Sequence, residues 1–198
     1  MIDFWNNRYE QIDYAYGTRP NQFLKEQIQK IKPGKLFLPA EGEGRNAVFA
    51  AYYGWEVDAF DQSEMGQRKA LQLAKNTQVS INYELSDFMS VQPMENNYDV
   101  CALIYAHALP EVRKILHKKV IDALKPGGTL ILEAFSKDQI QFESGGPKDE
   151  KMLYSVEDLK SDFKNLYIEQ LEEINTNLDE GLYHIGEASI VRLVAKKM

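Results

Sequence analysis

The sequence contains very little cysteine. Cys101 is the only cysteine among 198 residues, and it lies inside an apolar run at residues 100–104. A single cysteine excludes a disulfide framework within the chain and a zinc site built from cysteines. The lack of disulfides is typical of proteins in a reducing compartment, and we therefore expect a cytoplasmic protein.

Long hydrophobic runs are also lacking. No stretch approaches the roughly 20 apolar residues of a membrane-spanning helix, and the N-terminal residues show no basic region followed by an apolar segment and a cleavage site. We therefore expect neither a membrane partner nor secretion.

Basic residues are too few for a typical nucleic-acid-binding protein. The chain has 30 acidic against 23 basic side chains, which gives a formal net charge of −7. Proteins that bind a phosphate backbone usually present a basic stripe, whereas Lys and Arg alternate here with acids. We expect a small-molecule partner and no nucleic acid.

Residues 36–47, followed by Asp61, form the most informative segment. An apolar strand leads into a turn with Gly42 and Gly44, then a helix, and then a second strand that ends at Asp61. In doubly wound sheets such glycines let a ligand approach the backbone, and an acid at the tip of the second strand accepts hydrogen bonds from ribose hydroxyls. The pattern predicts a nucleoside-binding site. A phosphate ligand is not favoured, because Ala47 occupies the third glycine position of the dinucleotide fingerprint and no P-loop lysine follows.

Strands and helices alternate along the chain, which predicts an α/β fold with a doubly wound, mostly parallel sheet and helices on both faces. The predicted helices cover residues 20–31, 45–53, 64–76, 111–124 and 156–163. The predicted strands cover residues 35–39, 55–60, 81–85, 98–105, 129–135, 167–177 and 183–195. The short link at 178–182 makes the last two strands an antiparallel hairpin.

Residues 40–47 (AEGEGRNA) closely resemble motif I of class I S-adenosylmethionine-dependent methyltransferases, in particular the small bacterial branch similar to tellurite-resistance and thiopurine methyltransferases. Further blocks that resemble this branch are residues 4–9, 16–24, 86–88, 98–100, 124–130 and 144–147. The resemblance implies a seven-stranded Rossmann-like sheet with an antiparallel last strand. It also implies S-adenosylmethionine as cofactor and S-adenosylhomocysteine as product.

The length of the chain fits a single domain, residues 1–198, large enough to bury a core without disulfides or metals. The resemblance divides this domain into an N-terminal lid and helix at residues 1–32 and a Rossmann-like core at residues 33–198. A substrate loop is expected near residues 136–155.

The resemblance also implies the site residues. The cofactor-binding residues would be Glu41, Gly42, Glu43, Gly44, Asn46, Asp61, Gln62, Ser63, Asp87, Phe88 and Tyr105. The substrate and lid residues would be Tyr9, Tyr16, Arg19, Gly145, Gly146 and Pro147. Asp87 would accept a hydrogen bond from the adenine amino group, and the aromatic N-terminal segment would cover the cofactor pocket.

Simpler readings of these residues stay open. Gly42 and Gly44 also fit a tight turn that only glycine tolerates, and Asp61 and Asp87 also fit helix or turn caps. The aromatic N-terminal segment also fits a helix that is merely packed on the domain.

One position departs from the family pattern. Class I methyltransferases commonly carry an acid four residues before the first retained glycine, where it helps to hold the methionyl amino group, and this chain has Leu38 there. Ala40 replaces the family's first glycine. Glu41 is the nearest candidate for contact with that amino group.

His107 and Tyr105 follow the predicted fourth strand and are the candidate catalytic residues. A histidine near its ordinary pKa can accept a proton from a substrate, although His107 also fits a purely structural role. His117 is predicted on a helix surface, and His184 has no assigned role. The spacing of the three histidines matches no metal-ligand pattern, and we expect no metal.

These patterns together predict a methyltransferase that transfers a methyl group to a small soluble acceptor by in-line displacement, in which alignment supplies much of the catalysis. The acceptor stays open. One alternative is a catalytically silent S-adenosylmethionine-binding module, for which Leu38 is the supporting feature. Another is a dinucleotide oxidoreductase, which Ala47 disfavours.

Overall fold

A computed structural model describes residues 2–198, whose seven strands form a single sheet in the order β3-β2-β1-β4-β5-β7-β6. The strands are β1 (Lys35–Pro39), β2 (Glu56–Asp61), β3 (Asn82–Leu85), β4 (Tyr98–Ile104), β5 (Leu124–Phe135), β6 (Leu166–Asp179) and β7 (Ile185–Lys197). The helices are α1 (Ile2–Tyr9), α2 (Gln22–Ile28), α3 (Arg45–Tyr52), α4 (Glu64–Thr77), α5 (Pro110–Ala123) and α6 (Val156–Asp162). Met1 of the predicted lid lies outside the described residues.

Helices cover both faces of the sheet, because successive residues of a buried strand point to opposite sides. Leu36 and Leu38 of β1 pack in a core with α2 and α3. Phe37 packs in a second core with α5 and α6. The predicted doubly wound α/β fold is confirmed.

The order of the strands reverses beside β1, which pairs in parallel with both β2 and β4. Ligands of doubly wound sheets bind at the carboxyl ends of the strands near this reversal. Strand β7 lies between β5 and β6 and is antiparallel to both. The predicted antiparallel insertion of the last strand is therefore confirmed.

Among the predicted boundaries that differ from the structure, those of two strands bear on the site. Strand β5 begins at Leu124, which pairs with Tyr98, instead of at residue 129; the register shifts before Val100 pairs with Thr129. The last strand begins at Ile185. His184 therefore lies in the connection between β6 and β7.

The predicted surface position of His117 is wrong. The residue is buried at 1% exposure, and Nδ1 lies 3.0 Å from Asp162 Oδ2. The ring of Phe163 packs 4.5 Å away. The periodicity of α5 did not reveal this contact, because α6 covers that face of α5 only in the folded chain.

An insert at residues 136–155 follows β5 and contains two short 3₁₀ turns, Lys137–Gln141 and Glu150–Met152. Among residues 2–198, no helix is both long and apolar enough to cross a membrane. The same residues contain no group of three or more His, Cys, Asp or Glu side chains arranged to hold a metal ion.

Candidate active site

The turn after β1 is fixed by its neighbours in the sheet. The Gly42 N–H donates to Asp61 Oδ2 at 3.1 Å, and the Gly42 carbonyl accepts from the Tyr83 hydroxyl at 2.6 Å. Ala40 before the turn has a positive φ of 54°, and so does Tyr105 after β4 with 52°. Non-glycine residues in this conformation are strained, and such strain concentrates at functional sites.

Asp61 is a buried carboxylate that can accept further hydrogen bonds. Its side chain is 6% exposed, and Oδ1 accepts from the Ser63 N–H at 2.9 Å. Burial raises the pKa of Asp61 to about 6, although the N–H groups of Ser63 and Gly42 favour its charged form. A carboxylate has about four acceptor positions, so both oxygens retain capacity for ligand hydroxyls. Gln62, next in the chain, is half-buried.

Glu41 caps helix α3. Its Oε1 accepts from the N–H groups of Asn46 at 2.8 Å and Ala47 at 2.7 Å, and its Oε2 accepts from Asn46 Nδ2 at 3.3 Å. Asn46 in turn accepts from the Asn21 N–H. Burial raises the pKa of Glu41 to about 7. The structure thus gives Glu41 a capping role, and its contact with a methionyl amino group stays a prediction.

Glu43, Gly44 and Ser63 tie the turn to its surroundings. The Glu43 carboxylate accepts from the Ala15 N–H at 2.7 Å and pairs with Lys69 at 2.6 Å. A Cβ on Gly44 would lie 2.6 Å from the Ala70 Cβ of α4. The Ser63 hydroxyl caps α4 and donates to Asn6 of α1. Direct contact of these residues with a cofactor stays a prediction.

Asp87 and Phe88 form the turn after β3. Asp87 is exposed, and its Oδ1 accepts from the N–H groups of Met89 at 2.7 Å and Ser90 at 2.9 Å. The Ser90 N–H holds the pKa of Asp87 below its ordinary value. Phe88 packs edge-on against Phe60. Asp87 therefore caps this turn, and its contact with adenine stays a prediction.

The N-terminal segment lies directly on the glycine turn. Tyr9 is buried, and a Cβ on Gly42 would lie 2.6 Å from its hydroxyl. The ring of Tyr16 lies 4.4 Å from that of His184. Arg19 is exposed and pairs with Asp179 of the β6–β7 hairpin at 2.8 Å. Tyr9 and Tyr16 thus reach the expected region, whereas Arg19 lies on its outer side.

His107 is occupied by the backbone on both sides of its ring. Nδ1 lies 2.9 Å from the Met152 carbonyl oxygen, and Nε2 accepts from the Phe135 N–H at 3.3 Å. Burial lowers the pKa of His107 to about 4. With Nδ1–H as donor and Nε2 as acceptor, the ring joins β5 to the insert. This geometry favours the structural role over that of a general base.

Tyr105 contributes its ring to the site while its hydroxyl points into the core. The hydroxyl donates to Glu133 Oε1 at 3.1 Å. The ring lies 4.6 Å from His184 and 4.8 Å from Phe135. The sequence predicted its location after β4, and a catalytic role of its hydroxyl is not favoured because that group is already bonded.

The sequence analysis missed a cluster of charged and polar residues formed by Arg45, Glu180 and His184, in which Arg45 and His184 are buried and Glu180 is half-buried. The His184 Nδ1 lies 3.4 Å from Glu180 Oε2, and Arg45 Nη2 lies 2.9 Å from the same oxygen. Burial alone would raise the pKa of Glu180, but the His184 hydrogen bond and the Arg45 charge outweigh it and hold that pKa at about 2. Burial lowers the pKa of His184. The available signal was an acid and a histidine four residues apart in a hairpin turn.

The insert packs against this group. A Cβ on Gly145 would lie 2.8 Å from the His184 Cδ2 and 2.5 Å from the Tyr183 carbonyl oxygen. A Cβ on Gly146 would lie 2.9 Å from Phe135 Cδ2. Pro147 follows, half-buried. The predicted glycine loop thus borders His184, and its contact with an acceptor stays a prediction.

Comparison with protein families matches residues 3–193 to the family described as tellurite resistance protein TehB. The chain belongs to the TehB family. This confirms the expected relation to tellurite-resistance methyltransferases. A comparison with curated proteins gives no significant match.

Solved structures show the same fold as this TehB-family chain at low sequence identity. TehB from Haemophilus influenzae has a TM-score of 0.75 and 17% identity, with 100% of this chain and 67% of that chain covered. A SAM-dependent methyltransferase from Methanosarcina mazei has a TM-score of 0.70 and 14% identity, covering 87% and 97%. Magnesium protoporphyrin IX methyltransferase from Synechocystis, solved with bound SAH, has a TM-score of 0.67 and 14% identity, covering 88% and 80%. The fold is that of class I methyltransferases.

Proposed function

We propose that this TehB-family protein is an S-adenosylmethionine-dependent methyltransferase that acts on a small-molecule acceptor by in-line displacement. S-adenosylmethionine supplies a methyl group on a sulfonium centre, whose sulfur leaves as a neutral thioether. The protein then has to bind the nucleoside, align the acceptor and take up a proton where the acceptor carries one.

The observation that carries this proposal is the pair of carboxylates beside the glycine turn. Asp61 keeps acceptor positions for two ribose hydroxyls at the end of β2. Glu41 meanwhile occupies the N–H groups of Asn46 and Ala47 at the N-terminus of α3 with its own side-chain oxygen. A dinucleotide needs that helix N-terminus for its pyrophosphate. The turn therefore suits a ligand with a ribose and no phosphate.

The Glu180–His184 pair suits the acceptor side of the reaction. With Nδ1–H donating to Glu180, the neutral ring keeps a lone pair on Nε2, and burial favours this neutral form. A Cβ on Gly145 would lie 3.4 Å from Nε2, so this nitrogen faces the glycine loop of the insert. The ring is positioned by Tyr16 and Tyr105.

In the proposed step, a lone pair of the acceptor forms a bond to the methyl carbon while the sulfur–methyl bond breaks and sulfur keeps its electron pair. An acceptor that carries a proton, such as a thiol or a hydroxyl, transfers it to His184 Nε2 and from there to solvent. An acceptor that is already ionised needs no base.

Calorimetric titration with S-adenosylmethionine, S-adenosylhomocysteine and NAD tests the cofactor. We expect binding of the first two and none of NAD. Asp61→Ala should weaken S-adenosylhomocysteine binding by about 10-fold or more, because it removes charge-assisted hydrogen bonds worth about 1.5–3 kcal/mol. Asp58→Ala is the control: Asp58 lies on the same strand, but its carboxylate binds Asn82 and Tyr98 instead.

Turnover is tested by following S-adenosylhomocysteine formation with thiols, phenols, amines, carboxylates, selenite and tellurite as acceptors. Binding of NAD alone would refute the proposal. Tight binding of the methyl donor without turnover of any acceptor class would equally contradict it, and would favour a silent binding module.

A further inference from the structure

Arg8 is exceptional among the arginines of this chain. Of the six, Arg19, Arg45, Arg68, Arg113 and Arg192 all form ion pairs with carboxylates. Within residues 2–198, no carboxylate lies within ion-pair distance of Arg8. This is notable in a chain with a surplus of acids, where a cation that lacks a local partner is available to a ligand.

The guanidinium of Arg8 is held in place without losing its donors. Its central carbon lies 4.1 Å from the ring centroid of Tyr183 and 4.6 Å from that of Phe4. Nη1 donates to the Tyr16 hydroxyl at 3.0 Å. A guanidinium has five N–H groups, and this is its one hydrogen bond within the described residues. Stacking on aromatic rings fixes the plane of the fork and leaves its edge available for a planar anion.

Arg8 lies between two parts of the candidate site, the glycine turn at Gly42 and the ring of His184. The next residue, Tyr9, contacts the glycine turn at Gly42. Its hydrogen-bond partner, Tyr16, packs against His184. The guanidinium is therefore close to the place where the methionyl end of the cofactor and the acceptor have to meet.

The other cations around this place are already neutralised. Arg45 pairs with Glu180 at 2.9 Å, Lys69 with Glu43 at 2.6 Å and Arg192 with Glu133 at 2.6 Å. An anionic group that enters the site thus finds uncompensated positive charge at Arg8. Carboxylates elsewhere on the rim would repel it.

We infer that Arg8 is an anion-recognition residue that binds a ligand carboxylate through the fork of its guanidinium. The inference rests on the proposed function and adds the residue that reads the charge of the ligand. Two ligands could bring this carboxylate: the cofactor, through its methionyl end, or an acidic acceptor.

The test compares Arg8→Met, Arg8→Lys and the control Arg68→Met, whose arginine is exposed and paired along α4. Calorimetry measures the binding of S-adenosylhomocysteine and of 5′-methylthioadenosine, which has the same nucleoside but no amino-acid group. If Arg8 binds the methionyl carboxylate, Arg8→Met should weaken S-adenosylhomocysteine binding by about 10- to 100-fold and leave 5′-methylthioadenosine unchanged. Arg8→Lys should recover part of the loss, and Arg68→Met should lose nothing.

If the carboxylate belongs to the acceptor, Arg8→Met should leave S-adenosylhomocysteine binding unchanged and raise KM about 10-fold or more for acidic acceptors, but not for neutral ones. Equal effects on both nucleosides and on both kinds of acceptor, or no effect at all, would overturn the inference and leave Arg8 as a packing residue of the lid. Wild-type protein that binds neither nucleoside would overturn the proposed function and this inference with it.

Discussion

Tyr83 and Asp61 bind the two backbone polar groups of one residue, Gly42. Hydrogen bonds at both its N–H and its carbonyl restrict the two peptide units that flank this residue. Such a constraint matters at a ligand site, because a preorganised turn has less entropy to lose when the ligand binds.

Tyr83→Phe removes the hydroxyl and keeps the ring. We expect the free energy of unfolding to fall by about 1–2 kcal/mol, because the Gly42 carbonyl loses its partner. The affinity for S-adenosylhomocysteine should fall severalfold as the turn loosens. Chemical denaturation and calorimetry measure the two effects. Tyr167→Phe, at an exposed tyrosine, is the control, and a Tyr83→Phe protein that matches this control in both measurements would contradict the constraint.

Helices α3 and α4 pack closely at Gly44, which has no side chain. Gly44 and Gly127 have nearly the same positive φ, 84° and 80°. A Cβ on Gly44 would overlap Ala70 at 2.6–2.8 Å, whereas a Cβ on Gly127 would meet nothing within 4 Å. The pair separates the cost of backbone strain from that of helix packing.

Gly127→Ala should cost about 1–2 kcal/mol of stability, the usual cost of a left-handed non-glycine residue. Gly44→Ala should cost about 1–3 kcal/mol more, because α3 and α4 must move apart. Urea denaturation of the two variants measures the difference. Equal losses would show that the helices separate freely and that packing does not require glycine at this position.

Helices α5 and α6 are joined by buried charges. Asp162 accepts from Arg113 Nε at 3.2 Å and from His117 Nδ1 at 3.0 Å. The other ring nitrogen of His117, Nε2, is buried without a hydrogen-bond partner. The carboxylate is therefore the central group of the cluster, while His117 carries an unsatisfied atom.

Asp162→Ala should destabilise the protein by about 3–5 kcal/mol, because it leaves a buried arginine without its main partner. His117→Phe should cost less than about 1 kcal/mol, since it removes an unsatisfied polar atom and Arg113 still pairs with Asp162. Thermal denaturation of both variants measures the contrast. A His117→Phe protein as unstable as Asp162→Ala would show that the histidine, and not the arginine, holds the carboxylate.

Across the whole molecule, the free energy of unfolding depends on pH through two sets of groups, whose pKa values folding shifts in opposite directions. Asp61 and Glu41 have raised pKa values, so the folded protein holds protons that the unfolded chain has released. The stability that these two groups contribute is lost as pH rises through their pKa values of about 6 and about 7. His107, His117 and His184 have lowered pKa values and lose stability as pH falls below about 6.5. The wild-type profile between pH 5 and 8 is a balance of the two.

Asp61→Asn isolates one side of this balance. Asn resembles the protonated acid, so at pH 5 the two proteins should differ little because Asp61 is then mostly protonated. At pH 8 the variant should gain on the order of 1–3 kcal/mol relative to the wild type, which must then bury a charge. Denaturation curves at pH 5, 6, 7 and 8, without cofactor, measure the difference. Parallel profiles would mean that Asp61 keeps its ordinary pKa.

The sequence alone determined the fold and one half of the candidate site. The continuous apolar run in β1 and the helical spacing in α2 are patterns among neighbouring residues, and such local patterns can be read directly. The glycine turn and Asp61 are likewise local features, because the turn follows β1 and Asp61 is the last residue of β2, and the carboxyl ends of both strands lie at the same edge of the sheet. The short link between the last two strands also predicted that they are antiparallel.

The tertiary structure decided which polar side chains already have hydrogen-bond or ion-pair partners in the protein and which can bind a ligand. Arg45 and Glu180 are 135 residues apart. They meet because the tip of the β6–β7 hairpin lies against residues 15–17, and Arg45 also donates to the carbonyl of Tyr16 there. His107 became a link between β5 and the insert through hydrogen bonds to partners 28 and 45 positions away. Charge and hydrogen bonding depend on partners in space, and the partners of a residue far away in sequence are set by the assembled sheet.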